Sequence, residues 1–167
     1  MIYYKDNRFG FIELFNDETG TLIRSNILDN GIETGQLPPM RSFPELIDIG
    51  IMGACDAGKT GLCRNAGVDC YQRGISSCEK NMDFDDYSAI INQCKGRVFQ
   101  IALGGAGDPN KHEFFPDILH ITRENRIVPN YTTSGYALTD KEIELTKKYC
   151  GAVAVSYYSK LDKYGNE

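Results

Sequence analysis

Apolar positions along this chain follow two rhythms. Up to about residue 28 the pattern is short and strand-like. Phe11-Ile12-Glu13-Leu14-Phe15 and Thr21-Leu22-Ile23-Arg24 flank a turn-rich Asn16-Asp17-Glu18-Thr19-Gly20, which predicts a β-hairpin. A loop containing Gly35, Pro38 and Pro39 follows. Beyond it, apolar runs alternate with helical periods. Runs at Leu46–Met52, Val98–Leu103, Ile127–Thr132 and Ala152–Ser156 predict strands. Between them, Tyr87, Ile90, Ile91 and Cys94 fall at helical spacing within Phe84–Cys94. Phe115, Ile118, Leu119 and Thr122 do the same within Phe114–Glu124. Thr139–Tyr149 opens on Thr139 and Glu142, a capping box that marks a helix start.

Strands alternating with helices predict repeated βα units, hence an α/β fold with a parallel sheet. Parallel strands put their C-terminal ends on one edge, where ligands bind in such folds. The unusual segments all fall at that edge: GACDAGKTGLC, GGAGDPN, TTSG and SYYS after the four strands in turn. A closed eight-unit barrel takes roughly 250 residues. This chain of 167 supplies about four units, so an open fragment of a longer core is expected. The expected division is an N-terminal hairpin with linker over 1–42 and a core domain over 43–167.

Composition narrows the class. A net charge of −5 and a pI near 5.1 argue against a nucleic-acid surface. No stretch of 18 apolar residues suggests a membrane span. The polar opening MIYYKDNRFG lacks the apolar centre of a secretory signal, so a cytoplasmic location is expected. In a reducing compartment six cysteines read as metal ligands, reactive thiols or buried small side chains rather than disulfides.

Two chemistries fit the loop after the first parallel strand. Gly53-x-x-x-x-Gly58-Lys59-Thr60 spells a phosphate loop, with Lys59 for the outer phosphates and Thr60 for magnesium. That motif needs a helix directly behind it. Gly61 and Gly67 follow instead, which weakens the helix. The second chemistry is a soft metal centre on Cys55, Cys63 and Cys70. Their C-x7-C-x6-C spacing is not that of a zinc site. Three thiolates can hold a [4Fe–4S] cluster and leave one iron open. Cys78 is an alternative ligand, whereas Cys94 and Cys150, on helical faces, read as buried side chains.

At these residues the chain resembles the radical S-adenosylmethionine enzymes, over about 43–158. A cysteine triplet follows the first strand, with Tyr71 beside its last member. Gly104-Gly105-Ala106-Gly107-Asp108-Pro109 follows the second, Thr132-Thr133-Ser134-Gly135 the third, and Ser156 ends the fourth. The triplet is wider than the usual C-x3-C-x2-C, and Gly-Gly-Ala-Gly-Asp-Pro stands for the usual Gly-Gly-Glu-Pro. The resemblance implies a partial (β/α) barrel with a [4Fe–4S] cluster on Cys55, Cys63 and Cys70. It implies S-adenosylmethionine held by Gly104, Gly105, Asp108, Thr133, Ser134 and Ser156. The implied activity is formation of a 5′-deoxyadenosyl radical that abstracts hydrogen from a small-molecule or peptide substrate, with an external electron donor. A half-barrel that binds the cluster without turnover is the non-enzymatic alternative, and its open sheet edge would favour dimers. His112 follows the glycine motif, where a lone histidine reads first as structural or solvent-facing and only second as a catalytic group, while His120 falls on a helix surface. Tyr71, Tyr131, Tyr157 and Tyr158 lie near the expected site edge and read mostly as packing residues, with one available to line the adenine.

Overall fold

A computed structural model describes residues 1–30, 32–33 and 41–156. The expected loop with Gly35, Pro38 and Pro39, the tyrosines Tyr157 and Tyr158, and the C-terminal tail lie outside the described residues. Among the described residues no helix is long and apolar enough to cross a membrane.

The N-terminal segment forms three strands rather than the two of the expected hairpin. β1 (Ile2–Asp6), β2 (Phe11–Phe15) and β3 (Leu22–Asn26) make an antiparallel meander. Alternation turns Phe11, Glu13 and Phe15 of β2 inward, where all three are buried. The β2–β3 turn is closed by the Asn16 side chain, which accepts from the amides of Glu18 and Thr19 at 2.9 and 3.2 Å. β4 (Leu28–Asp29) and β5 (Ile32–Glu33) form a short separate pair.

The second sheet is parallel throughout: β6 (Leu46–Met52), β7 (Gln100–Gly105), β8 (Val128–Thr133) and β9 (Ala152–Val155), in the order β6-β7-β8-β9. Consecutive strands are neighbours, as in an arc of a barrel and unlike a doubly wound sheet. The loop after β6 holds two single turns, α1 (Asp56–Lys59) and α2 (Leu62–Asn65). Longer helices link the strands: α3 (Phe84–Cys94), α4 (Phe115–Glu124) and α5 (Asp140–Tyr149). Thr139 caps α5, and the expected capping box with Glu142 is formed.

The two faces of the parallel sheet differ in chemistry. Ile49, Ile51, Ile101, Leu103 and Tyr131 are buried together with Tyr87, Ile91, Phe115, Ile118 and Leu119 from the helices. Burying each such side chain contributes about 1.5–3 kcal/mol. The intervening positions on the opposite face are small or polar. Asp48, Ala102 and Asn130 form one row, and Gly50 and Gly104 lie in the next row towards the strand ends.

The meander docks beneath the N-terminal ends of the parallel strands. Phe15 stacks on Phe99 at 4.8 Å between ring centroids, in a cluster with Ile2 and Val128. Arg41 lies over the rings of Tyr4 and Phe99, at 3.7 and 4.7 Å. It also donates to the buried Glu13 carboxylate at 2.7 Å and to the Arg97 carbonyl at 2.6 Å. Arg24 is the second cation on Glu13, at 2.5 Å, and is also paired with Glu45.

Candidate functional site

A cavity of about 620 Å³ opens at the C-terminal edge of the parallel sheet. Each of the four unusual segments contributes to its wall. Cys55, Cys63 and Cys70 line it from the loop after β6, and Gly104, Gly105 and Asp108 from the end of β7. Thr133 and Ser134 line it from β8, and Ser156 from just beyond β9. Every expected metal and cofactor residue therefore faces one volume. Cys78 is exposed, bridges Ala54 through the backbone and is absent from this wall.

Glycine makes the closeness of the two loops possible. Gly107 lies against Ala54, so that a Cβ there would fall 2.2 Å from the Ala54 carbonyl oxygen. Gly74 backs onto Cys55 and Ala106, with a Cβ falling 2.9 Å from the Cys55 Cβ. Below them, the Gly53 amide donates to the Asn81 side chain at 2.9 Å. Asn81 in turn donates to Glu113 at 2.7 Å.

Cys55 caps α1, its Sγ accepting from the Gly58 amide at 3.1 Å. Burial pushes its thiol above the ordinary value. The Gly58 amide opposes this, while Asp108, Cys63 and Cys70 push further in the same direction. Among the described residues no set of three or more His, Cys, Asp or Glu side chains is close enough to grip a single metal ion.

Asp108 ties the β7 loop to the β8 loop. Its carboxylate accepts from the Thr133 hydroxyl at 3.1 Å, the Ser134 amide at 3.0 Å and the Ser134 hydroxyl at 2.6 Å. The Ser156 amide donates to the Thr133 carbonyl at 2.8 Å, which extends the tie to the fourth strand.

The structure decides several sequence alternatives here. The phosphate-loop pattern does not form a phosphate loop. α1 ends after one turn, and Gly61 follows with φ near 78°. Lys59 pairs with Asp56 at 3.0 Å on the surface, and the Thr60 hydroxyl donates to the Ala57 carbonyl at 2.7 Å. Neither lines the cavity. His112 does not reach the site. It is buried, with Nδ1 accepting from the Phe114 amide at 3.1 Å, which leaves Nε2 to donate to the Met82 carbonyl at 3.0 Å. Tyr131 is in the core, its hydroxyl bonded to Thr146 at 2.6 Å. Tyr71 does line the cavity, and His120 sits exposed on α4 beside Glu124. The cavity wall also includes Asp48 and Gln72, which sequence reasoning passed over. Asp48 had left a signal, as the one charged residue in the apolar run of β6.

No protein-family model and no curated protein matches the sequence. Solved structures do match the fold. Streptococcus suis SuiB bound to S-adenosylmethionine is 21% identical, with a TM-score of 0.50, over 70% of this chain and 24% of that one. BtrN in complex with AdoMet and 2-DOIA is 18% identical, with a TM-score of 0.54, over 74% and 51%. SuiB bound to the precursor peptide SuiA is 15% identical, with a TM-score of 0.61, over 92% and 46%. The chain thus spans about a quarter to a half of the length of these proteins. At such identities the likeness is one of architecture: this chain is similar in fold to SuiB and BtrN, each solved with S-adenosylmethionine.

Proposed function

We propose that the cavity takes a [4Fe–4S] cluster on Cys55, Cys63 and Cys70 with S-adenosylmethionine beside it, as in radical S-adenosylmethionine enzymes. The observation that carries this reading is the convergence of three loop thiols on one cavity with the glycine loop of β7 and the hydroxyl groups of β8 and β9. The fold likeness to proteins solved with S-adenosylmethionine supports it. The donor set fits, because three thiolates leave one iron of such a cluster open to a chelating ligand. When bound, cluster and S-adenosylmethionine together would supply a 5′-deoxyadenosyl radical for hydrogen abstraction.

The part of the chain itself is position and exclusion. Gly104 and Gly105 bring bare backbone to the cavity wall, where a methionine amino group would lie. A carboxylate offers about four acceptor positions. Thr133 and Ser134 occupy three on Asp108, so the fourth is left for that amino group. In this reading Thr133 and Ser134 act by fixing Asp108. Ser156 is the free hydroxyl at the edge, with no side-chain hydrogen bond among the described residues, for the carboxylate or ribose. The substrate is a small molecule or a peptide, since fold neighbours are solved with one of each. The electron comes from an external donor.

Anaerobic reconstitution with iron and sulfide tests the reading. The expected product is brown, and its reduced paramagnetic resonance signal changes when S-adenosylmethionine is added. Cys55→Ala, Cys63→Ala and Cys70→Ala each abolish the colour, while Cys78→Ala keeps it. A cluster that survives Cys55→Ala but not Cys78→Ala reassigns the ligands. Failure to take up iron, with magnesium-dependent ATP binding that Lys59→Ala removes, restores the phosphate loop.

A further inference from the structure

The glycines around the cavity fall into two kinds. Gly53, Gly74, Gly105 and Gly107 are required by close packing, with a Cβ at each meeting an atom at 2.7 Å or less. Gly50 and Gly104 are not. A Cβ on Gly50 would meet only the Gly105 Cα, at an ordinary 3.7 Å, and one on Gly104 would meet nothing within 4 Å. Neither has the positive φ that favours glycine. Side chains at both positions would be accommodated by the fold, and they would extend into the cavity that both residues line. The two are direct cross-strand partners, so together they leave a gap on the inner face of the sheet.

One position below that gap on β6 lies Asp48. Side chains alternate along a strand, so Asp48 faces the same side as Gly50. Its carboxylate lines the cavity and has no hydrogen bond or ion pair among the described residues. Its cross-strand partner Ala102 is small and offers it no donor. Asp108, the other carboxylate of the wall, is taken up by Thr133 and Ser134. No Lys, Arg or His is among the described wall residues, so no fixed cation neutralises Asp48.

We propose that Asp48 determines substrate specificity, and that the substrate carries a cationic nitrogen which the Asp48 carboxylate receives through the gap left by Gly50 and Gly104. The assignment rests on the reading of the cavity given above, and names the class of molecule that shares it with S-adenosylmethionine. Asp48 is solvent-exposed on the open cavity wall, and an unpaired carboxylate there favours a cation over a neutral group of the same shape.

The test uses the reconstituted protein and simple probes: putrescine, cadaverine and agmatine, with 1,5-pentanediol as the neutral counterpart. Binding is read by ligand-observed nuclear magnetic resonance, with S-adenosylmethionine affinity measured in parallel. Wild type should favour the cations by about two- to fivefold, the scale of a charge contact that stays open to water. Asp48→Asn should remove that preference, Asp48→Glu should retain part of it, and Gly50→Val should block all probes. In Asp48→Asn and Asp48→Glu the cluster absorbance and S-adenosylmethionine affinity should stay unchanged. A wild-type cavity without preference for cations overturns the proposal, as does an Asp48→Asn variant that keeps the preference. Loss of S-adenosylmethionine binding in Asp48→Asn also overturns it, by assigning the carboxylate to the cofactor. A wild-type protein that takes up no cluster refutes the underlying reading and shows itself by its lack of colour. A brown protein indifferent to charge refutes Asp48 alone.

Discussion

The six cysteines show how far single residues can be read. Spacing and loop context separate Cys55, Cys63 and Cys70 from Cys94 and Cys150; the first three line the cavity, and the other two pack with the core. Cys94 is packed among the core side chains, where burial pushes its thiol up. Burial pushes Cys150 up to about 12, with Arg123 opposing. Only the thiolate alkylates at a useful rate. In the cluster-free protein Cys78, exposed, should therefore react first with iodoacetamide, and Cys94 and Cys150 last. After cluster assembly Cys55, Cys63 and Cys70 should be protected while Cys78 still labels, as peptide mass spectrometry would show. Protection of Cys78 in place of Cys55 would refute the assignment. What sequence could not give at this scale is direction. His112 and Tyr131 lie close to the site along the chain, yet each is taken up by a hydrogen bond elsewhere, to the Met82 carbonyl and to Thr146. The partners of Asp108 were equally hidden, because they come from a strand about 25 residues on.

At the scale of elements the βα rhythm was legible because burial on one face imposes it. β6 and α3 have the bounds their apolar pattern predicts. β7 starts two residues later than its apolar run, because Val98 and Phe99 are buried ahead of the strand, Phe99 against the meander. It also runs on through Gly104 and Gly105, whose strand geometry their composition conceals. β1 was missed because Tyr3 and Lys5 offer no apolar alternation of their own. α5 carries its own test. Burial alone would raise Glu142, but hydrogen bonds from Lys111, Thr139 and Asn110 bring its carboxyl down to about 2 from an ordinary 4.5. A lowered folded-state value means stability that is present above the unfolded-state value and lost as pH falls through the folded one. Glu142 should therefore stabilise the fold fully above about pH 4.5 and lose that contribution progressively towards about pH 2. Urea unfolding of wild type and Glu142→Gln should show a gap at pH 7 that closes over this window. A gap constant with pH would mean that the charge of Glu142 is immaterial.

At the scale of the molecule, the meander and the cavity occupy opposite ends of the parallel sheet. The meander is held to the foot of the sheet by stacked rings and by a buried carboxylate between two guanidinium groups. Glu13 is fully buried and the Arg41 side chain is 6% exposed, so neither charge has water to fall back on. Removing one partner of such a pair typically costs about 3–5 kcal/mol, since the other charge is left stranded. Replacing both by apolar side chains costs far less. Arg41→Met leaves Glu13 to Arg24 alone and breaks the bond to the Arg97 carbonyl, so it should destabilise the protein by about 1–3 kcal/mol, a sizeable share of the roughly 5–15 kcal/mol typical of a domain. Arg41→Met combined with Glu13→Leu should recover much of that loss, because Arg24 keeps Glu45 as its partner. Denaturant unfolding of the two single variants and the double variant gives the coupling directly. Simple addition of the two single losses would show that the pair does not hold the meander as a unit. Iron uptake per folded molecule should stay the same in all three, because the thiols lie at the far end of the strands and share no hydrogen bond with this network.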